Sequence, residues 1–232
     1  MSGLSILMPV YNERATLEAA IEQVLATEYP VEEVELIVID DGSTDGTSEL
    51  IAARKWPANV RLLSHERNRG KGAALRTGVV EASLPYTAIM DADLEYDPAD
   101  LAMLLEPVLS GEAEVVYGTR GFASHSAFSF WYVMGNRGVT LACNLLYNCW
   151  LADIMTCHKV MPTPVFASLD LRASGFTIEP EITARLLTAG HRIYEVPVTY
   201  RARGRDEGKK LTASDGVRVL GTLIRCRIDR RG

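Results

Sequence analysis

Three short runs combine residue types that do chemistry together. Asp91-Ala92-Asp93 sets two carboxylates one residue apart, at the end of the apolar stretch 86–91. Carboxylates so placed at a bend can share one hard divalent cation, Mg²⁺ or Mn²⁺, and such a cation usually takes phosphate oxygens as well. Asp40-Asp41-Gly42-Ser43 closes a second apolar run, ELIVID. Aspartate there accepts from a nucleobase or from ribose hydroxyls; the alternative is a turn feeding a helix cap, for which Ser43, Thr44 and Asp45 are all suited. Asn68-Arg69-Gly70-Lys71-Gly72 joins two cations to two glycines. Glycine lets backbone N–H groups approach an anion, and a helix N-terminus favours negative charge. The GxxxxGK[ST] spacing is absent, so this is no Walker loop. Together the three runs describe a site for a nucleoside diphosphate and a metal.

The surrounding pattern says what must position them. Strands are expected at 4–9, 35–40, 60–64, 86–91 and 115–118. They alternate with helices at 15–27, 47–55, 70–82 and 98–109. That alternation predicts a mostly parallel sheet covered on both faces, a Rossmann-like α/β fold. In such sheets ligands bind beyond the carboxyl ends of the strands. The exits at 9–13, 40–43, 68–72 and 91–93 are all polar. The second half is less regular: an aromatic-rich helix at 127–151, a helix at 182–189 ended by Gly190, and a strand at 193–198. A basic loop at 201–210 leads to an amphipathic helix at 217–228, with Val217, Leu220, Ile224 and Ile228 on one face and Arg218, Arg225 and Arg227 off it. The reading is one domain, 1–232, with a nucleotide-binding half (1–120) and a smaller α+β extension (121–232).

Composition narrows the classes. With 47% apolar and 23% charged residues the chain is globular. Its longest uncharged runs, 16 and 15 residues on either side of Arg137, fall short of a membrane span. Net charge −6 excludes an overall basic nucleic-acid footprint. Yet residues 201–232 carry ten Lys/Arg against four Asp/Glu, leaving −12 on residues 1–200. This basic end suits an anionic lipid or phosphate; the plainer alternative is a solvated face. No secretory signal opens the chain, and the four cysteines lack metal or disulfide spacing, so they read as reduced, in a cytoplasmic protein. A zinc site from Cys143, Cys149, Cys157 and His158 is disfavoured. The run 128–134 (FSFWYVM) is either core or a membrane-interface segment.

The motifs resemble inverting family 2 glycosyltransferases of the GT-A fold. They are the 9–13 run PVYNE, the 40–45 run DDGSTD, and the 68–72 and 91–93 runs, in that order. The second half is similar to the dolichol-phosphate mannosyltransferase group, which includes polyprenyl-phosphate glucosyltransferases. The residues that carry this are Tyr117-Gly118-Thr119-Arg120, Gly135-Asn136-Arg137, Asp153 with Thr156-Cys157-His158-Lys159-Val160, the 176–181 run FTIEPE, and Glu195-Val196-Pro197-Val198 followed by Gly208-Lys209-Lys210-Leu211. The resemblance implies that Pro9, Tyr11 and Glu13 line the base pocket, with Asp40 on base or ribose and Asp41, Gly70, Lys71 and Ala92 nearby. It implies Asp91 near ribose and diphosphate, and Asp91 and Asp93 as metal ligands with Glu95 as a further one. Some relatives carry glutamine at that last position. It implies Arg120 on donor or acceptor phosphate, and Arg137, Arg201, Arg203 and Lys209 on a lipid phosphate. His158 stands where many relatives have tyrosine and takes no role beyond packing.

The implied reaction moves a hexose, mannose or glucose, from a GDP- or UDP-sugar to a polyprenyl phosphate, at the cytosolic face of a membrane to which the chain attaches peripherally. A lipid phosphate is already anionic at neutral pH and needs cations more than a base. A sugar hydroxyl acceptor would need a base, for which Glu179 and Glu181 are candidates; the alternative is a helix start carrying acids near its positive end. A transferase with a soluble acceptor keeps the same donor chemistry. A sugar nucleotidyltransferase shares the metal-plus-nucleotide logic but lacks its glycine-rich N-terminal signature here. A non-enzymatic sugar-nucleotide sensor is disfavoured by the presence of both Asp91 and Asp93.

Overall fold

The apolar runs alternate sides, and each side finds its own layer of helices. In β1 (Gly3–Val10) the side chains of Leu4, Ile6, Met8 and Val10 enter one core cluster while Leu7 enters the other. The first cluster takes α1 (Leu17–Ala26) and α4 (Pro98–Leu109) through Leu17, Ile21, Val24, Leu101, Leu104 and Leu105. The second takes α3 (Lys71–Glu81), α6 (Thr163–Ala167) and α7 (Ile178–Ala189) through Ala74, Leu75, Phe166, Ile178, Ile182 and Leu186. A strand with period-two alternation and both faces apolar must be sandwiched this way. This computed structural model describes residues 2–121, 130–201 and 213–229.

The remaining elements are β2 (Glu33–Asp40), α2 (Thr47–Ala53), β3 (Val60–Ser64), β4 (Tyr86–Ile89), β5 (Val115–Arg120), α5 (Phe130–Tyr147), β6 (Lys159–Pro162), β7 (Ile193–Val198) and α8 (Ala213–Ile228). The seven strands form one sheet in the order β3-β2-β1-β4-β6-β5-β7. β1, β2, β3 and β4 run parallel, as do β5 and β7, and β6 lies antiparallel between β4 and β5. The second half of the chain thus contributes β6 and β7 to the sheet that the first half begins. The α/β class and the mostly parallel sheet stand as the sequence implied.

Four elements differ from expectation. β6 is only four residues, KVMP, and a lysine and a proline break its apolar pattern. α6 follows it at once, five residues long. Neither is long enough to show a period. α7 starts at Ile178, ahead of the expected 182, because Pro180 sits in its first turn, where proline costs no hydrogen bond. α5 stops at Tyr147 rather than 151, and Asn148 turns left-handed (φ 49°) just beyond it. Residues 127–129 of that expected helix lie outside the described residues.

A third cluster lies outside the sheet. Cys143 of α5 and Val219, Leu223 and Cys226 of α8 meet Ala184 of α7 and Leu151, Ile154 and Met155. None of the helices among the described residues is long and apolar enough to cross a membrane.

Candidate active site

Parallel strands end on one side, so the exits of β1, β2, β3 and β4 share one edge of the sheet. Hydrogen bonds lace these exits together. After β1, Asn12 takes a left-handed backbone (φ 57°); its Oδ1 accepts from Thr44 N (2.8 Å) and its N–H donates to Ser43 Oγ (2.9 Å). Asp40 Oδ1 accepts from Ser43 N (3.0 Å) and Ser43 Oγ (2.6 Å), and Oδ2 accepts from Ser48 Oγ. Asp41 accepts the N–H of Arg69 (2.9 Å) and of Gly70 (2.6 Å), and its Oδ1 lies 2.6 Å from His65 Nδ1. The acid pair is buried and organises the loops: Asp40 closes its own turn and Asp41 fixes 68–70. The cap expected from Ser43, Thr44 or Asp45 is displaced; Gly46 occupies the N-cap of α2, and Asp45 accepts from Thr47 N at 3.0 Å.

The glycines of 68–72 have a different reason from the one expected. A Cβ at Gly70 (φ 90°) would stand 2.1 Å from the Ser174 carbonyl oxygen, and one at Gly72 2.0 Å from that of Ala173. Gly72 N donates to Ser174 O at 2.8 Å. Both glycines therefore let α3 begin flush against the 173–175 segment. The N–H groups of Arg69, Gly70 and Gly72 are engaged internally and form no anion cradle, which corrects the expectation for Gly70. The cationic side chains at this exit are those of Arg69, which is exposed, and Lys71.

Lys71 is the hub of the site. Its Nζ lies 2.7 Å from Asp91 Oδ1, 2.9 Å from Glu179 Oε1 and 3.2 Å from Cys157 Sγ. Burial works against its charge, but Asp91, Cys157 and Glu179 outweigh burial and hold the ammonium pKa well above its ordinary value. Burial likewise opposes ionisation of Asp91, and Lys71 reverses this, so the carboxyl pKa is lowered. On its far side Glu179 pairs with Lys159, whose Nζ also donates to Thr156 O and lies 4.8 Å from the Tyr117 ring. Asp91, Lys71, Glu179 and Lys159 thus form a chain of alternating charge from the sheet edge into the interior.

Asp91 faces the Lys71 ammonium, and its carboxylate orients that side chain. Glu179 is 2% exposed between two ammonium groups, where a base has no open path to a substrate proton. Glu181 is fully buried and accepts from Arg172 N (2.9 Å) and Ala173 N (2.6 Å), which ties down the segment that seats Gly70 and Gly72.

Asp93 and Glu95 sit on the loop after β4. Asp93 Oδ1 accepts from Glu95 N at 3.1 Å. Glu95 Oε2 accepts from the Tyr200 hydroxyl (2.7 Å), and Glu95 O from Arg201 N (2.8 Å), so the acidic loop is zipped to the exit of β7. Tyr96 bridges to Tyr200 and stacks on His158 at 4.5 Å. His158 is fully buried, and burial lowers its pKa to about 4; its packing role stands. Arg120, at the end of β5, is held by Asp153 through Nε (2.6 Å) and Nη2 (2.8 Å). Its Nη1 donates to Tyr132 of α5 (3.1 Å), and its guanidinium lies 5.1 Å from the Tyr200 ring centroid.

Pro9, Tyr11 and Glu13 lie at the exit of β1, partly exposed, and Ala92 is buried behind the acidic loop. Arg137 is exposed on α5 and Arg201 after β7. Arg203 and Lys209 lie outside the described residues. The sequence reading missed Lys159, Cys157, Tyr132, Tyr200 and His65 as neighbours of the site. Their partners are 12 to 105 positions away, and no local pattern links them.

The sheet order and the acidic loop at its carboxyl edge define a GT-A-like α/β enzyme fold. Residues 5–169 match the model of glycosyl transferase family 2, and the chain belongs to that family. It is 30% identical to glycosyltransferase AglJ of Haloferax volcanii over 202 residues, 87% of this chain and 64% of AglJ. It is 40% identical over 97 residues to the poly-β-1,6-N-acetyl-D-glucosamine synthase of Staphylococcus epidermidis, 42% of this chain and 23% of that enzyme. The chain thus spans just under two-thirds of AglJ and about a quarter of the synthase. Among solved structures it resembles glucosyl-3-phosphoglycerate synthase of Mycobacterium tuberculosis in complex with Mn²⁺, UDP and glucosyl-3-phosphoglycerate. There the TM-score is 0.70 at 24% identity, over 97% of this chain and 80% of that one. The same enzyme with Mg²⁺ and UDP gives 0.69 at 22% identity.

Proposed function

We propose that this family 2 glycosyltransferase moves a hexose, mannose or glucose, from a GDP- or UDP-sugar to a polyprenyl phosphate, with inversion and with Mg²⁺ or Mn²⁺. The observation that carries the acceptor class is the charge arrangement on the acceptor side. The two carboxylates available as bases, Glu179 and Glu181, are buried and paired. Arg120, held by Asp153, lies 5.1 Å from the Tyr200 ring, and Arg201 follows Tyr200 in the chain beside the acidic loop. An acceptor that arrives already anionic needs such cations and no base.

Among the described residues no three His, Cys, Asp or Glu side chains gather to hold an ion by themselves. Mg²⁺ or Mn²⁺ takes one or two carboxylates and completes its shell with phosphate oxygens and water. Asp93 and Glu95 would hold it, and it would neutralise charge on the departing diphosphate. Lys71, set by Asp91 and Glu179, adds a fixed positive charge at the same edge. Pro9, Tyr11, Glu13 and the 40–45 turn would receive the nucleoside. Arg120, Arg137 and Arg201, with Arg203 and Lys209 of the basic loop, would draw in the acceptor phosphate. A lipid acceptor places the work at a membrane surface, here the cytosolic face.

The test is an acceptor-resolved transfer assay. The chain is incubated with Mn²⁺ and labelled nucleotide sugars, with a short polyprenyl phosphate, with 3-phosphoglycerate, or with neither. Label entering organic solvent only with the lipid supports the reading and names the sugar. Label on 3-phosphoglycerate alone would move the acceptor to a soluble phosphate. Diphosphate release from a nucleoside triphosphate would make the chain a nucleotidyltransferase.

A further inference from the structure

We propose that the outer face of the α5–α8 layer is a docking surface for an anionic lipid bilayer, with both helices lying in the plane of the interface. The inference rests on the polyprenyl-phosphate reading for the reason a bilayer is met; its observations and its test are separate.

The face is apolar where a water-facing helix should be polar. Phe130, Trp131 (80% exposed), Met134, Leu141 and Leu145 (76%) of α5 are exposed, as is Trp150 (88%) just beyond it. So are Val217, Leu220, Ile224 and Ile228 (73%) of α8. At 100° per residue, positions 131, 134, 141 and 145 fall within an arc of about 80°. Positions 217, 220, 224 and 228 do the same on α8. This is no core left bare, because each helix buries a different stripe: Cys143 of α5 meets Val219, Leu223 and Cys226 of α8 in the third cluster. Tyr147 donates its hydroxyl to Leu223 O at 2.8 Å, fixing the helices side by side. Both helices share that inner core with Ala184 of α7, and each carries its exposed stripe away from its buried one.

Charge selects the occupant. α5 contains no acidic residue, and its only ionisable side chains besides Tyr and Cys belong to the exposed Arg137. On α8, Arg218 and Arg225 border one side of the apolar stripe and Arg227 the other. Arg218 and Arg225 join Arg172, Thr177 and Thr222 in lining a cleft of about 330 Å³. These arginines have acid neighbours, exposed Asp170 at 2.6 Å from Arg172 and half-buried Asp215 at 3.5 Å from Arg218, and Arg225 lies 4.0 Å from buried Glu181. A guanidinium with five N–H donors can serve an anion besides. In a chain of net charge −6, this is where an anionic surface is met without repulsion. An apolar stripe with Trp, Phe and Leu, edged by arginine, is the pattern of an interfacial helix. A two-fold contact between copies would set arginine rim against arginine rim.

The test sediments the full chain with vesicles of phosphatidylcholine alone and with about 30% phosphatidylglycerol, without sugar nucleotide or acceptor. The chain is expected to bind the anionic vesicles, less so as salt rises, with a blue shift of tryptophan emission. Leu145→Glu with Ile224→Glu should weaken binding at least about tenfold while the melting curve holds, since both side chains are exposed. Trp131→Ser should weaken it in the same direction. Absent vesicle binding, or equal binding by wild type and variants, would overturn the proposal. So would a stable dimer that the same substitutions dissociate. Lipid-linked product in detergent without vesicle binding sinks the surface alone; vesicle binding without lipid-linked product sinks the acceptor alone.

Discussion

The strand exits and the α5–α8 layer satisfy their side chains in opposite ways. At the exits, Asp40 is matched by donors of its own turn, Asp41 by the 69–70 backbone and Asp91 by Lys71 of α3. In the α5–α8 layer the apolar groups are the unmatched ones: ten large hydrophobic side chains there face outward. The contrast teaches what each region is shaped to meet. A small, highly charged ligand needs a scaffold fixed before it arrives, so the exits use acids to hold loops and one lysine in place. A broad surface needs area with little shape, so the layer keeps one apolar stripe inside and offers a second.

If the exits are preorganised through the buried charge chain, cutting it should be costly. Glu179→Gln leaves Lys159 uncompensated and is expected to destabilise the fold by about 3–5 kcal/mol. Denaturant melts should show part of this recovered in the Lys159→Met, Glu179→Gln double variant. A single variant as stable as wild type would mean that the chain of charges is incidental.

His158 sharpens the same point with a pH signature. Burial lowers its pKa to about 4 from the 6.5 of a free imidazole, so the unfolded state binds the proton more readily. Its contribution is intact above about pH 6.5 and is lost as pH falls toward 4, amounting to about 3 kcal/mol. His158→Phe should lose less stability than wild type across that window. Parallel pH–stability curves would show that the imidazole is already solvated.

The smallest effect tests the division between donor and acceptor sides. Arg137→Ala should raise the acceptor KM about tenfold with little change in donor affinity, as for one removed charge contact. Equal losses in both would make Arg137 a structural residue.

Much of the strand-exit edge was legible in the sequence because its logic is local. An apolar run followed by two acids predicts a strand exit, and the exits alone place 9–13, 40–45, 68–72 and 91–93 at one edge. What was not legible is long-range. Nothing near Gly70 or Gly72 announces that Ser174 and Ala173 will press on them. Nothing near Glu179 reveals two lysines, one of them on a four-residue strand that shows no period. The amphipathic pattern of 217–228 was visible, but periodicity does not say which stripe faces inward. Val219, Leu223 and Cys226 are buried, whereas the more regular stripe of Val217, Leu220, Ile224 and Ile228 faces out.

The central claim is that the exits form a nucleotide-diphosphate site completed by a divalent ion at Asp93. The most direct measurement is calorimetric titration of UDP and GDP into the chain, with and without Mn²⁺, in wild type and in Asp93→Asn. One nucleotide is expected to bind with Mn²⁺, to bind at least about tenfold more weakly without it, and to lose the same factor in the variant, whose melting curve is unchanged. Nucleotide binding indifferent to both Mn²⁺ and Asp93 would contradict it.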